Sequence, residues 1–145
     1  MAVAPDLIVD VAGSGRDRGR AHGEVLRGRI ADALERWDAE VGERMGIPAA
    51  DHVAGLLAAT RFVPAIEAST PELLEEVRGI AEGSGVSFER ILAYNLMDEE
   101  WWYSQAAGHR HSCSLVAVAA GKGRGALLAQ NMDLPEVMDG GQTIQ

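Results

Sequence analysis

The sequence predicts an α+β protein, built as a helical N-terminal segment over 1–112 and the opening strands of a sheet over 113–145. Three observations predict it. Apolar residues recur at helical spacing from about Asp17 to Tyr103, in stretches punctuated by Gly, Pro, Ser and Thr. Beyond Tyr103 that period fails, and two short apolar runs follow, 113–119 and 126–132, parted by Gly121-Lys122-Gly123-Arg124-Gly125. A third run opens at Gln142-Thr143-Ile144. Two or three strands do not make a well-covered sheet. The expectation is therefore an incomplete sheet, whose other strands belong to the remainder of the same precursor or to a second chain.

Each element has its own justification. Residues 6–11 alternate as a short strand that Gly13-Ser14-Gly15 breaks. A long helix then runs from about Asp17 to Gly46, with Ile30, Leu34, Trp37, Val41 and Met45 on one stripe. Gly19, Gly23 and Gly28 each weaken it by about 1 kcal/mol relative to Ala, which points to close backbone packing. His22 between them reads as a packed or surface residue and receives no role. Pro48 starts a second helix that turns Val53, Leu56, Leu57 and Phe62 inward, and Pro64 kinks or ends it. Thr70-Pro71-Glu72 reads as the N-cap, N1 proline and first-turn acid of a third helix. That helix buries Leu73, Leu74, Val77 and Ile80 and stops at Gly83 or Gly85. Ser87 caps a fourth helix, with Val86 stapled against Ile91, and it continues to Trp102.

Composition excludes several functions. A formal net charge of -9 is opposite to the basic face that nucleic-acid binding needs. The arginines at 16, 18, 20, 27 and 29 are interleaved with Gly, Asp and Glu and read as a solvated helix face. No apolar run approaches the roughly 20 residues that cross a bilayer, so no membrane partner is expected. A single cysteine makes no intrachain disulfide, and no basic, apolar leader opens the chain, which predicts a cytoplasmic protein.

That cysteine is the most informative residue. Cys113 opens an apolar strand directly after the polar stretch Ala107-Gly108-His109-Arg110-His111-Ser112. A thiol in that position suits a nucleophile that self-cleavage at Ser112-Cys113 turns into a chain terminus. Its new α-amine, with a pKa of about 8, would serve as base for its own side chain. The competing reading is an inert buried thiol in a non-catalytic helical interaction module. His109, His111 and Cys113 alternate along a strand as a metal set would, but no fourth ligand is evident, and no metal or other cofactor is assigned. Gly121 to Gly125 lacks the spacing of a phosphate loop and leads into a strand, so it reads as a hairpin turn. Asp98-Glu99-Glu100 at a helix end reads as an exposed acidic turn, and Trp101-Trp102-Tyr103 beside it as a candidate wall of an acyl pocket. Gln130-Asn131-Met132-Asp133 closes the second strand with polar groups, and the hairpin returns Asp133 toward Cys113.

Four ordered segments resemble the isopenicillin N acyltransferase family of N-terminal-nucleophile hydrolases: residues 71–86, Leu92-Ala93-Tyr94-Asn95, Ser112-Cys113-Ser114, and residues 127–133. The resemblance covers the chain from about Asp17 onward. It implies an αββα sandwich, incomplete here, matured by cleavage before the cysteine. It further implies hydrolysis or transfer of acyl groups at small amides or acyl-coenzyme A thioesters. Cys113 would be nucleophile and base. Asp133 would orient the amine or bind substrate, Asn131 would support the site, and Trp101, Trp102 and Met132 would line the pocket. The oxyanion-hole asparagine would come from beyond Gln145. Ser112 stands where the family commonly has Gly, which bears on the ease of cleavage, and Met132 stands where the family's Gln-Asn-Trp-Asp motif has Trp, which alters the pocket wall.

Overall fold

The computed structural model describes residues 9–104, 113–121 and 123–132. Among them are seven helices and one two-stranded antiparallel sheet, an α+β content in which helix dominates. The strand expected at 6–11 is not formed over 9–11, while 6–8 lie outside the described residues. Val9 is nonetheless buried.

Helix α1 (Gly15–Val25) starts two residues earlier than its apolar pattern suggests, because Ser14 caps it. The Ser14 hydroxyl accepts from the Asp17 backbone N–H, and the Asp17 carboxylate accepts in return from the Ser14 N–H and O–H. This is a capping box with Asp in the place of Glu. The helix expected to run on to Gly46 is instead interrupted at Leu26, at φ -102 and ψ 15, and α2 (Arg27–Met45) begins at the next residue.

Close contact of two backbones precedes the break. Helices α1 and α5 (Pro71–Ser84) run parallel, with Gly15, Gly19 and Gly23 of one set against Gly79 and Gly83 of the other. A Cβ on Gly19 would stand 2.0 Å from the Glu76 carbonyl oxygen, and one on Gly83 2.2 Å from that of Arg20. Only hydrogen fits at these positions, as in the small-xxx-small interfaces of membrane helices. Parallel dipoles repel, and bridges from Arg16 to Glu75 and Glu82 and from Arg18 to Glu76 offset that across the seam. With α1 committed to α5, the chain turns at Leu26 so that α2 can bury Leu34, Trp37 and Val41 in the main core. Gly28 has nothing within 4 Å and takes no part in the close approach.

Helix α3 (Ala49–Ala59) adds Val53 and Leu56 to that core, and α6 (Phe88–Asn95) adds Ile91 and Ala93. Burial of each of these Val, Leu and Ile side chains stabilises the fold by about 1.5–3 kcal/mol. Helix α4 (Phe62–Ser69) carries Pro64 inside its first turn, so the proline neither kinks nor ends a helix there; the preceding helix has already stopped at Ala59. Thr70 precedes Pro71 as expected, but its side chain makes no capping hydrogen bond. Leu73, expected inward, is 53% exposed, whereas Leu74 is buried. Gly85 ends α5 at φ +77, and the Val86 N–H reaches back to the Ala81 carbonyl in a Schellman closure. The fourth expected helix is two, α6 and α7 (Met97–Tyr103), parted at Leu96.

Strands β1 (Cys113–Val118) and β2 (Leu127–Met132) pair antiparallel, joined through a bridge between Gly121 and Arg124. The third strand expected from Gln142 lies outside the described residues.

Candidate functional site

Cys113 is the first residue of β1, and the hairpin register sets Met132 directly opposite it. Ser114 pairs with Asn131 at the next position, and Leu115 with Gln130. Successive positions alternate between faces, so Asn131 shares its face with Ser114, Val116 and Ala129. The polar end of the second strand is thus brought level with the start of the first. Ser112 and Asp133 lie outside the described residues, as do His109 and His111.

Both faces of this ribbon carry apolar side chains, and they are open. Leu115, Val116, Leu127 and Leu128 are all at least 59% exposed. Trp102 projects from α7 and is 72% exposed, while Trp101 beside it is half-buried.

Glu100, expected in an exposed acidic turn, is instead completely buried. The correction has a structural cause: three donors surround its carboxylate. The Arg44 Nη2 group of α2 donates to both oxygens, at 3.0 and 3.1 Å. The Ser104 hydroxyl at the end of α7 donates to Oε1 at 2.5 Å, and His52 Nε2 of α3 lies 2.6 Å from the same atom. An ionised carboxylate only accepts, so Nε2–H is the donor. Arg44 also donates to Glu40 at 2.8 Å, one turn back on its own helix. Burial disfavours the Arg44 cation, but its hydrogen bonds to Glu40 and Glu100 prevail and hold its pKa above the ordinary value.

Ser, His and Glu together invite comparison with a nucleophilic triad, and the geometry excludes one. In a triad the acid and the hydroxyl sit on opposite imidazole nitrogens. Here both sit on Nε2, with the Ser104 oxygen 3.3 Å from it and its proton committed to Glu100. The arrangement ties α2, α3 and α7 together and offers no free nucleophile. Two signals in the sequence point toward it: Glu100 and Ser104 share a helix face, and so do Glu40 and Arg44. His52 joins only through the tertiary fold.

Among the described residues no group of three or more His, Cys, Asp and Glu side chains is placed to hold a metal ion. No helix among them is long and apolar enough to cross a membrane. No protein-family model, no curated protein and no solved structure matches the chain.

Proposed function

We propose that this chain carries the nucleophile of a cysteine N-terminal-nucleophile amidohydrolase or acyltransferase, with Cys113 at the head of a strand in an αββα sandwich. The observation that supports the reading best is the hairpin register: the chain's one thiol-bearing residue begins β1, and the Gln130-Asn131-Met132 stretch ends β2 across from it. The two-sided apolar ribbon also suits a strand pair covered on both faces, as in a layered sandwich.

In the proposed maturation the Cys113 sulfur attacks the Ser112 carbonyl carbon, the C–N bond breaks, and the amine keeps the proton that the thiol gives up. Water then hydrolyses the thioester, leaving a Ser112 carboxylate and a Cys113 with free thiol and free α-amine. In turnover that amine takes the thiol proton, the thiolate adds to an amide or thioester carbonyl, and the leaving group departs with the proton. Water or an acceptor amine then releases the acyl group. Asp133 orients the amine, Asn131 supports it, and Trp101, Trp102 and Met132 border the acyl group. The remaining sheet comes from the rest of the precursor or from a second subunit, and the compartment is the cytoplasm.

Incubation followed by intact-mass measurement and N-terminal sequencing tests the proposal. Wild type yields a fragment beginning at Cys113, and Cys113→Ala abolishes both cleavage and acyl turnover. A single uncut, fully active polypeptide would overturn it.

A further inference from the structure

We propose, resting on the reading of Cys113 as nucleophile, that Gln130 is an oxyanion donor of the same site, its side-chain amide donating to the carbonyl oxygen of the acyl group under attack. Hairpin register selects this residue. Residues two apart along a strand share a face, and directly paired residues share it as well. Leu115 pairs with Gln130 and Cys113 with Met132, so positions 113, 115, 117, 128, 130 and 132 form one face of the ribbon. Asn131 pairs with Ser114 and belongs to the other face. Of the two adjacent amides near the end of β2, register puts Gln130, and not Asn131, on the face to which position 113 belongs.

The composition of that face singles out the same residue. Leu115, Ala117, Leu128 and Met132 carry no N–H or O–H on their side chains, so Gln130 brings the one amide to it. Gln130 is exposed, and its side chain makes no hydrogen bond to another described residue, whereas Asn131 is already engaged within the protein. Gln130 is a diagonal neighbour of position 113, one pair along the ladder. Diagonal neighbours on one face stand about 7–8 Å apart, within reach of long side chains. A carbonyl carbon bonded to the sulfur lies farther from the strand than the sulfur itself, which brings its oxygen into the span of the Gln130 amide. The thiolate adds to that carbon, the carbonyl π pair moves onto oxygen, and the Gln130 N–H₂ group donates there. The pair returns as the bond to the leaving group breaks, and the leaving group departs with the proton taken from the thiol. A neutral amide performs this without an ionisation of its own.

Two reagents applied to the single thiol of the full chain test the donor. Acetylation by p-nitrophenyl acetate, located at Cys113 by peptide mass measurement, passes through an oxyanion. Thiomethylation by methyl methanethiosulfonate has no carbonyl and reads only the access and basicity of the same sulfur. Gln130→Met, close in shape but without N–H donors, is expected to slow acetylation about tenfold or more, the worth of one hydrogen bond to a charged group. Thiomethylation should be unchanged, and Gln130→Ala should repeat both results. Wild-type acetylation rates in the two variants, or equal slowing with both reagents, would overturn the role of Gln130 and leave the nucleophile in place. A wild-type thiol acetylated no faster in the folded chain than in the urea-unfolded one would overturn the nucleophile reading, and the role of Gln130 with it.

Discussion

The Glu100 carboxylate receives Arg44, His52 and Ser104 with no water-facing surface of its own. Replacement by the isosteric Gln presents an amide N–H₂ to groups that are themselves donors and leaves the Arg44 guanidinium, 8% exposed, with the Glu40 carboxylate but without its buried partner. Breaking a buried pair from one side costs about 3–5 kcal/mol. Glu100→Gln is therefore expected to lower the urea midpoint strongly at unchanged m-value, whereas Glu99→Gln, one residue away and half-buried, leaves it nearly unchanged. At this scale the sequence is a poor guide. The Glu100 position at a helix end reads as solvent-facing because helix dipole rules speak only of its own helix. The cation and imidazole that draw it inward lie 56 and 48 residues away along the chain. Cys113 is the opposite case, since a lone thiol opening an apolar run is visible in the sequence alone.

Helices α1 and α5 are joined by the absence of side chains, and that makes their pairing sharply testable. Gly19→Ala drives a methyl group into the Glu76 carbonyl, a rigid backbone atom that cannot step aside. The helices must separate, at a cost of about 3 kcal/mol or more. Gly28→Ala places the same methyl group in open space inside α2, and the gain in helix propensity stabilises the protein by about 0.5–1 kcal/mol. Thermal unfolding of the two variants should move in opposite directions; a shared direction would remove the close-packed seam as the reason for these glycines. The sequence shows three weakened helical positions without distinguishing them, because the distinction depends on which face meets α5. For the same reason the apolar stripe from Ile30 to Met45 is read correctly while the break at Leu26 is not. Periodicity reports which residues face inward and is silent on where a helix must change course to satisfy two partners. The hairpin, by contrast, is legible to within a residue at each end, since its glycine turn and strand pattern are local.

Over the whole molecule, acid should lower stability in two stages with different causes. Burial, only partly opposed by the nearby Glu76 carboxylate, depresses the His22 pKa in the folded state. As pH falls below about 6.5, the unfolded chain takes up a proton that the folded chain refuses, and stability declines until the folded His22 value is passed. Asp17 and Glu82 act at lower pH. Their folded pKa values are depressed, the first by hydrogen bonds from Ser14, the second by Arg16, so the stability they contribute above the carboxylate range is lost as pH falls through those values. His22→Gln should remove the first decline and leave the second, measured as urea midpoints from pH 7.5 to 3.5 (roughly the range spanning both ordinary values).

The α+β class, the helix-forming stretches, the hairpin and the singular position of Cys113 were determined by the sequence alone, because each rests on spacing between near neighbours or on turn chemistry within a few residues. Tertiary structure alone decided the parallel contact of α1 with α5, the interruption at Leu26, and the burial of Glu100. Each of these depends on which distant surface a helix meets, and short-range patterns carry no record of that meeting.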